Sequence, residues 1–348
     1  MAVYYILFAL LAFFSLLERD NKFSKISLKI ILLLLILFVG LRYQVGNDYA
    51  EYFMHHSFIH QGSTNYFEPL FTLLNYITPT PYHMFFASSV ISFIFLYLSF
   101  KYFAPNNGIL LFTLYFGIYL IIFDIHIIRQ GIAIAMVLYS WKFAVENKKI
   151  KFFSLVLIAT GFHSSAVIAL PAYFLGKIKF TKKLKVSLLS ISTITLFILV
   201  FFKNLVFDLI SLFPLFERYA KVYLDPQFSS TEPISFGFML NIVAFFIIEY
   251  IIVKRPNSFN NPKMQFVENM FFVGILASIV LRFSSIALRF NYFYQISNIF
   301  IFVLIIFSFK EKMQMPVKVV FIIIALLYLY VNLNTGHAIL DYKTILSK

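Results

Sequence analysis

Apolar runs of near membrane-crossing length recur down this chain, separated by short connections rich in lysine. They cover about Ala2–Leu17, Ile26–Leu41, His83–Phe100, a fourth run ending at Asp124, His126–Trp141, Val186–Phe202, Phe236–Val253, Gln265–Leu281, Arg289–Phe309 and Val317–Asn332. Inside hydrocarbon a backbone must satisfy its own polar groups, and about 20 apolar residues span a bilayer as helix. The chain therefore reads as an all-α polytopic integral membrane protein. A hydrophobic fraction of 61%, charged residues at 13% and a mean hydropathy of +0.86 agree. The formal charge of +14 does not point to nucleic acid, because the lysines sit in the loops between apolar runs. With no cysteine there is no thiolate chemistry and no disulfide. The first run has no basic residue before it and no small-residue cleavage site, so we expect a retained helix. We expect one transmembrane domain over 1–348, with external segments at about 43–81 and 203–235.

Lysine and arginine in short loops set the orientation. Arg19, Lys22, Lys25 and Lys29 put the first loop inside and the N-terminus outside. Residues 152–175 are the ambiguous stretch. A single span there would put Lys177, Lys179, Lys182, Lys183 and Lys185 outside. Two short helices meeting at Gly161-Phe162-His163-Ser164-Ser165 keep both ends inside. Such broken helices are tolerated only where they line a cavity or are buried in protein. The path then has about 12 membrane segments, including a broken or re-entrant pair near 152–175. On it, 18 of 22 lysines fall inside, whereas of seven arginines only Arg19 and Arg255 do. Arg42, Arg129, Arg218, Arg282 and Arg289 gather toward the outer half, where a charge is by default a functional-site candidate.

Arginine is forked, always charged and suited to bidentate recognition of phosphate or carboxylate. Arg129 opens a run containing Gly131, Ala133 and Ala135, which lets a neighbour approach closely. Arg282 and Arg289 are seven apart, hence on one face if their helix is continuous, with Tyr292 a turn further on. The competing reading is that each arginine snorkels to headgroups or pairs with a structural acid. Asp48, Glu51, Glu68 and Asp124 read as external acids that either neutralise these arginines or act as bases, with Glu68 near the start of a short interfacial helix over 67–77. His163 titrates near neutrality and is either a proton acceptor or structural. His55, His56 and His60 read as part of an exposed loop. The chain carries no Walker loop, Gly-x-Gly-x-x-Gly, His-Glu-x-x-His or Asp-x-Asp, so we expect chemistry without metal or cofactor.

Several short pieces then fall in one order: Arg42-x5-Asp48-Tyr49, Glu68-Pro69-Leu70-Phe71, Ile128-Arg129-Gln130-Gly131-Ile132-Ala133, Phe162-His163-Ser164-Ser165-Ala166 with Leu170-Pro171, and more weakly Arg289-Phe290-x-Tyr292. In these the chain resembles the EpsG/Wzy family of polysaccharide polymerases. The resemblance implies a GT-C-like helical membrane glycosyltransferase of the bacterial cytoplasmic membrane, its active site facing the exterior or periplasm. Such enzymes join polyprenyl-pyrophosphate-linked oligosaccharide repeats into O-antigen of lipopolysaccharide, capsule or exopolysaccharide. The partners implied are the lipid-linked donor and acceptor, with a chain-length regulator and a flippase of the same pathway. By the same resemblance Arg129, Arg42 and Arg289 hold or stabilise the departing pyrophosphate. His163, or else Asp48 or Glu68, accepts the proton, and Gln130, Tyr49 and Ser164 bond sugar or phosphate. Arg282 has no firm match and enters on its spacing alone; Tyr292 enters with the weaker piece. The alternatives are a ligase moving finished glycan to another acceptor, and a flippase for the same lipid.

Overall fold

The computed structural model describes residues 1–62, 67–202, 234–254, 261–334 and 341–347. The expected external segment 203–235, except Ile234 and Ser235, lies outside the described residues, as do Arg218 and Arg255.

The described residues are helical and contain no strand. Eight helical segments are long and apolar enough to cross a membrane: 22–40, 81–103, 108–126, 182–201, 236–254, 262–283, 287–308 and 311–334. Their starts carry the capping chemistry that frees a helix from needing a partner for its first amides. Asn21 accepts from Ser24 N at 2.8 Å, and Thr80, before Pro81, accepts from His83 N. The other expected segments are also helical. They are α1 (Ala2–Leu16), α7 (Ile128–Val145) and the two sides of the 161–163 break, α8 (Lys149–Thr160) and a 3-10 turn Ser164–Ala169 running into Ala172–Leu175. The helix is broken at Gly161–His163, where two short helices are expected to meet.

The residues fall into two compact units, 1–173 with 302–348, and 174–301. In the first, α5 (Pro81–Phe103) and α8 pack against α7, and α2 (Lys22–Gly40) packs against α5. The α6 helix (Gly108–Tyr115) continues as a π-helix over Phe116–His126. Such i→i+5 turns are rare and collect at functional sites. Small residues allow the closest crossings, as between helices in lipid. A Cβ at Gly131 would lie 2.1 Å from the Phe123 carbonyl, and one at Gly117 2.3 Å from that of Ala325. Asp124, expected as an external acid beside the arginines, does lie near Arg42, but it is not at the surface. It lies buried in the π-helix, where its carboxylate accepts from Ser92 Oγ and Tyr115 OH, both at 2.6 Å. The histidine expectation fails too, since His55 and His56 are buried on α3 (Tyr49–His60) and His56 Nε2 lies 2.9 Å from the Thr78 carbonyl.

In the second unit Lys185, on a helix over Lys182–Phe201, is drawn off the boundary into the bundle. It bonds Glu249 and, at 2.6 Å, Glu268 of two neighbouring helices. Removing one partner from such a buried set leaves an uncompensated charge, which is where ion pairs matter most. The helix expected to carry both Arg282 and Arg289 is interrupted. Arg282 sits in a 3-10 turn over 281–283, Ser284 caps the next helix, and Arg289 belongs to Ser285–Gln295. The two arginines therefore do not lie on one continuous helix, because Ser284 restarts the helix between them.

Candidate active site

Three segments distant in sequence meet in the first unit. The first is α4 (Pro69–Ile77), with proline at its first position and Glu68 just before it. Its leading amides, Leu70 N and Phe71 N, donate to the Gly161 carbonyl at 2.8 and 3.2 Å. Glycine is required at 161, because a Cβ there would lie 2.5 Å from Leu70 Cγ. This docking sets Glu68 beside the turn after Gly161, so that Oε1 accepts from Ser164 N at 3.0 Å and from Ser164 Oγ at 3.3 Å.

The third segment is the start of α7. Ile127, with ψ at 57°, ends the π-helix, and Gly131 lets α7 sit against the Phe123 carbonyl. Arg129, second in α7, then reaches Glu68, its Nη1 donating to Oε2 at 2.6 Å. The pair is partly open, with 21% of the arginine side chain and 16% of the glutamate exposed. The guanidinium lies over the Phe67 ring at 3.9 Å and near Tyr52 at 5.9 Å, a cation–π stack that leaves its edges for hydrogen bonds. Its Nε is buried and meets no hydrogen-bond acceptor among the described residues.

The electrostatics follow from this packing. Burial pushes Glu68 up, but the Ser164 amide and the Arg129 guanidinium outweigh it and hold the carboxyl below its ordinary 4.5. Glu68 is therefore a carboxylate at neutral pH. Burial, then Arg129 and His56, pull His55 down to about 4, so the ring tilted against Phe67 is neutral. Burial pushes the Tyr52 phenol up to about 12, with Arg129 opposing. A carboxylate and a guanidinium thus sit against neutral rings.

His163 joins the group at the 161–163 turn. Its Nδ1 accepts from Ser165 N at 3.3 Å and lies 2.5 Å from Ser165 Oγ. With Nδ1 accepting, a neutral imidazole carries its proton on Nε2 and offers a donor there, not a base. Asp48 stands half-buried at the start of α3, beside Tyr52 in the electrostatics. Gln130 is buried in α7.

Arg42 and Tyr49 are placed differently. Arg42 is 1% exposed and gives its guanidinium to the Val39 and Val45 carbonyls at 2.6 and 3.3 Å. Burial pulls it down to about 10, with Asp124 opposing. The space between Arg42, Ser88, Ser92 and Asp124 is about 10 Å³, far below the several hundred of a ligand pocket. Residues near the C-terminus lie alongside: Tyr43 N bonds the Lys343 carbonyl at 2.9 Å, and Tyr342 stacks on Phe38 at 4.5 Å. Tyr49 is buried and stacks on Phe85 at 4.5 Å. Gly46, at φ 113°, lets the connecting loop lie on the Ile125 carbonyl.

In the second unit, Arg282 is buried with its guanidinium 4.1 Å over Phe238. Arg289 is exposed and Tyr292 half-buried. Reasoning from sequence missed Phe67 and Tyr52, the rings that hold Arg129. The signal available was an aromatic directly before the Glu68-Pro69 helix start.

The sequence matches the EpsG family over residues 25–344, nearly the whole chain. No curated protein and no solved structure matches it with significance.

Proposed function

The chain belongs to the EpsG family, and on that premise we propose that it is a membrane glycosyltransferase polymerising polyprenyl-pyrophosphate-linked oligosaccharide repeats. The observation that carries the reading is the partly exposed Arg129–Glu68 pair, gathered with Ser164 and His163 from three distant segments. Arginine suits a diphosphate because its fork offers several donors in one plane. In the resting protein Glu68 occupies Nη1 of Arg129. A bound diphosphate, with more negative charge, draws the guanidinium away from Glu68.

That exchange couples binding to basicity. Once Arg129 faces the diphosphate, Glu68 loses one of the influences that hold its pKa down and becomes a better proton acceptor. The acceptor sugar's hydroxyl oxygen then attacks the anomeric carbon of the donor glycan. A new glycosidic C–O bond forms, the anomeric carbon–phosphate oxygen bond breaks, and polyprenyl diphosphate leaves with the electron pair. The hydroxyl proton passes to Glu68, and Arg129 stabilises the charge developing on the leaving group. His163 donates from Nε2 to sugar or phosphate, and Ser164 orients Glu68. Asp48 and Gln130 bond the sugars. We give Arg42 and Tyr49 a positioning role, holding the loop that carries Asp48. Arg282, Arg289 and Tyr292 contribute to binding the lipid-linked glycan. The GT-C-like arrangement, the count of about 12 segments and an externally facing site in the cytoplasmic membrane belong to the same proposal.

The test is purified protein in liposomes with polyprenyl-diphosphate-linked repeat units as both donor and acceptor. A ladder of lipid-linked oligomers is expected. Transfer only to a non-lipid acceptor indicates a ligase, and movement across the bilayer without bond formation indicates a flippase; either contradicts the proposal.

A further inference from the structure

At the end of the first unit opposite the Arg129 group, α2 begins and α5 ends, and a cleft of about 400 Å³ opens between them and the start of α6. That volume is in the range of small-molecule sites. Its walls are of two kinds. Leu28, Phe100 and Phe112 are apolar, while Lys25, Lys29 and Lys101 bring charge. Asp20 cancels Lys25 at 2.8 Å. The neighbouring acid, Glu18, is committed elsewhere, accepting from Ile109 N and Leu110 N at 2.8 and 2.9 Å as the cap of α6. Lys29 and Lys101 therefore bring the cleft two positive charges that no carboxylate among the described residues pairs.

The position identifies the ligand. Lys29 lies seven residues into α2, about 10 Å along its axis, and Lys101 in the last turn of α5. Both helices are long and apolar enough to cross a membrane, and Lys101 in the last turn of α5 sets the cleft toward one end of them, with the apolar surface of the helices beside it. Lysine is a point-charge binder of phosphate. A free anion has no use for the apolar walls, whereas a phosphodiester carrying acyl chains fills both parts. We propose that this cleft binds the phosphate headgroup of an anionic phospholipid, with an acyl chain against Phe100 and Phe112.

The test uses the full-length protein in phosphatidylcholine nanodiscs, titrated with phosphatidylglycerol or with inorganic phosphate and read by thermal midpoint and native mass spectrometry. Phosphatidylglycerol is expected to bind and stabilise, and inorganic phosphate to do neither. Loss of both charges in K29A/K101A is expected to weaken the lipid roughly 30-fold, from about a fivefold effect per basic residue near a charged headgroup. K29R/K101R is expected to bind as the parent does. D20N releases Lys25 and is expected to tighten binding about fivefold. Equal protection by inorganic phosphate, or unchanged affinity in K29A/K101A, overturns the assignment. If that variant cannot be purified, unchanged affinity in D20N overturns it. None of these readouts depends on glycan polymerisation.

Discussion

Arg129→Lys is expected to stop polymer formation, lowering the rate by about 10²–10³-fold, the usual effect of losing one preorganised donor to a developing charge. The protein itself should remain in the membrane at normal levels, because the helix start and the Phe67 stack do not require a guanidinium. The reason lies in the pairing. Arg129 gives Nη1 to Glu68 at 2.6 Å and has further N–H groups in the same plane. A lysine has a single compact charge, which Glu68 captures in the resting state, so no fork is left for a diphosphate. Lipid-linked repeat units should accumulate unjoined, and a ladder of normal length and yield from this variant contradicts the assignment.

Glu68→Gln is expected to lower kcat by about 10²–10⁴-fold, the range for a lost general base. The amide keeps the shape and can still accept from Ser164 N. It also releases Arg129 from its ion pair, so KM for the lipid-linked donor should hold or fall. A loss in kcat without a rise in KM marks a group used in the transition state and not in ground-state binding. The pH dependence follows from the sign of the shift. Glu68 lies below its ordinary 4.5 in the free protein. Activity that depends on its carboxylate is therefore complete above 4.5 and is lost as pH falls through the lower folded value. The acid limb of kcat/KM should lie below 4.5, and that of kcat should lie higher, because bound diphosphate has drawn Arg129 away. An acid limb between about 6 and 7 that survives in the Gln variant gives the base role to a histidine instead.

How far the sequence leads depends on the range of the contact. The spans follow from apolar runs that leave the backbone no other choice. The break at Gly161–His163 is legible because a single span would set the five lysines after it against the expected lysine-inside pattern. Arg129 stands out because a charge opening an apolar, small-residue helix has few bland explanations, and Glu68-Pro69 carries its own helix-start signal. What brings these two together is Gly161 accepting from Leu70 and Phe71, a contact across 90 residues with no local mark. Arg42 looks equally prominent in sequence. Its surroundings are fixed by the Asp124 π-turn and by residues 341–345, about 300 positions away, and these give it a structural setting. Ser284 did carry a warning, since serine is a preferred helix cap, but the apolar run on both sides hid the restart. The Lys185–Glu249–Glu268 set was invisible because each charge alone reads as a loop or boundary residue.

The central claim is that Arg129 exchanges Glu68 for a diphosphate. The most direct measurement is a structure of the protein with a polyprenyl-diphosphate-linked repeat unit bound. The account predicts Arg129 nitrogens within hydrogen-bond distance of the diphosphate oxygens, with the 2.6 Å contact to Glu68 opened and the freed carboxylate facing a sugar hydroxyl. A diphosphate bound elsewhere, with the Arg129–Glu68 pair unchanged, contradicts it.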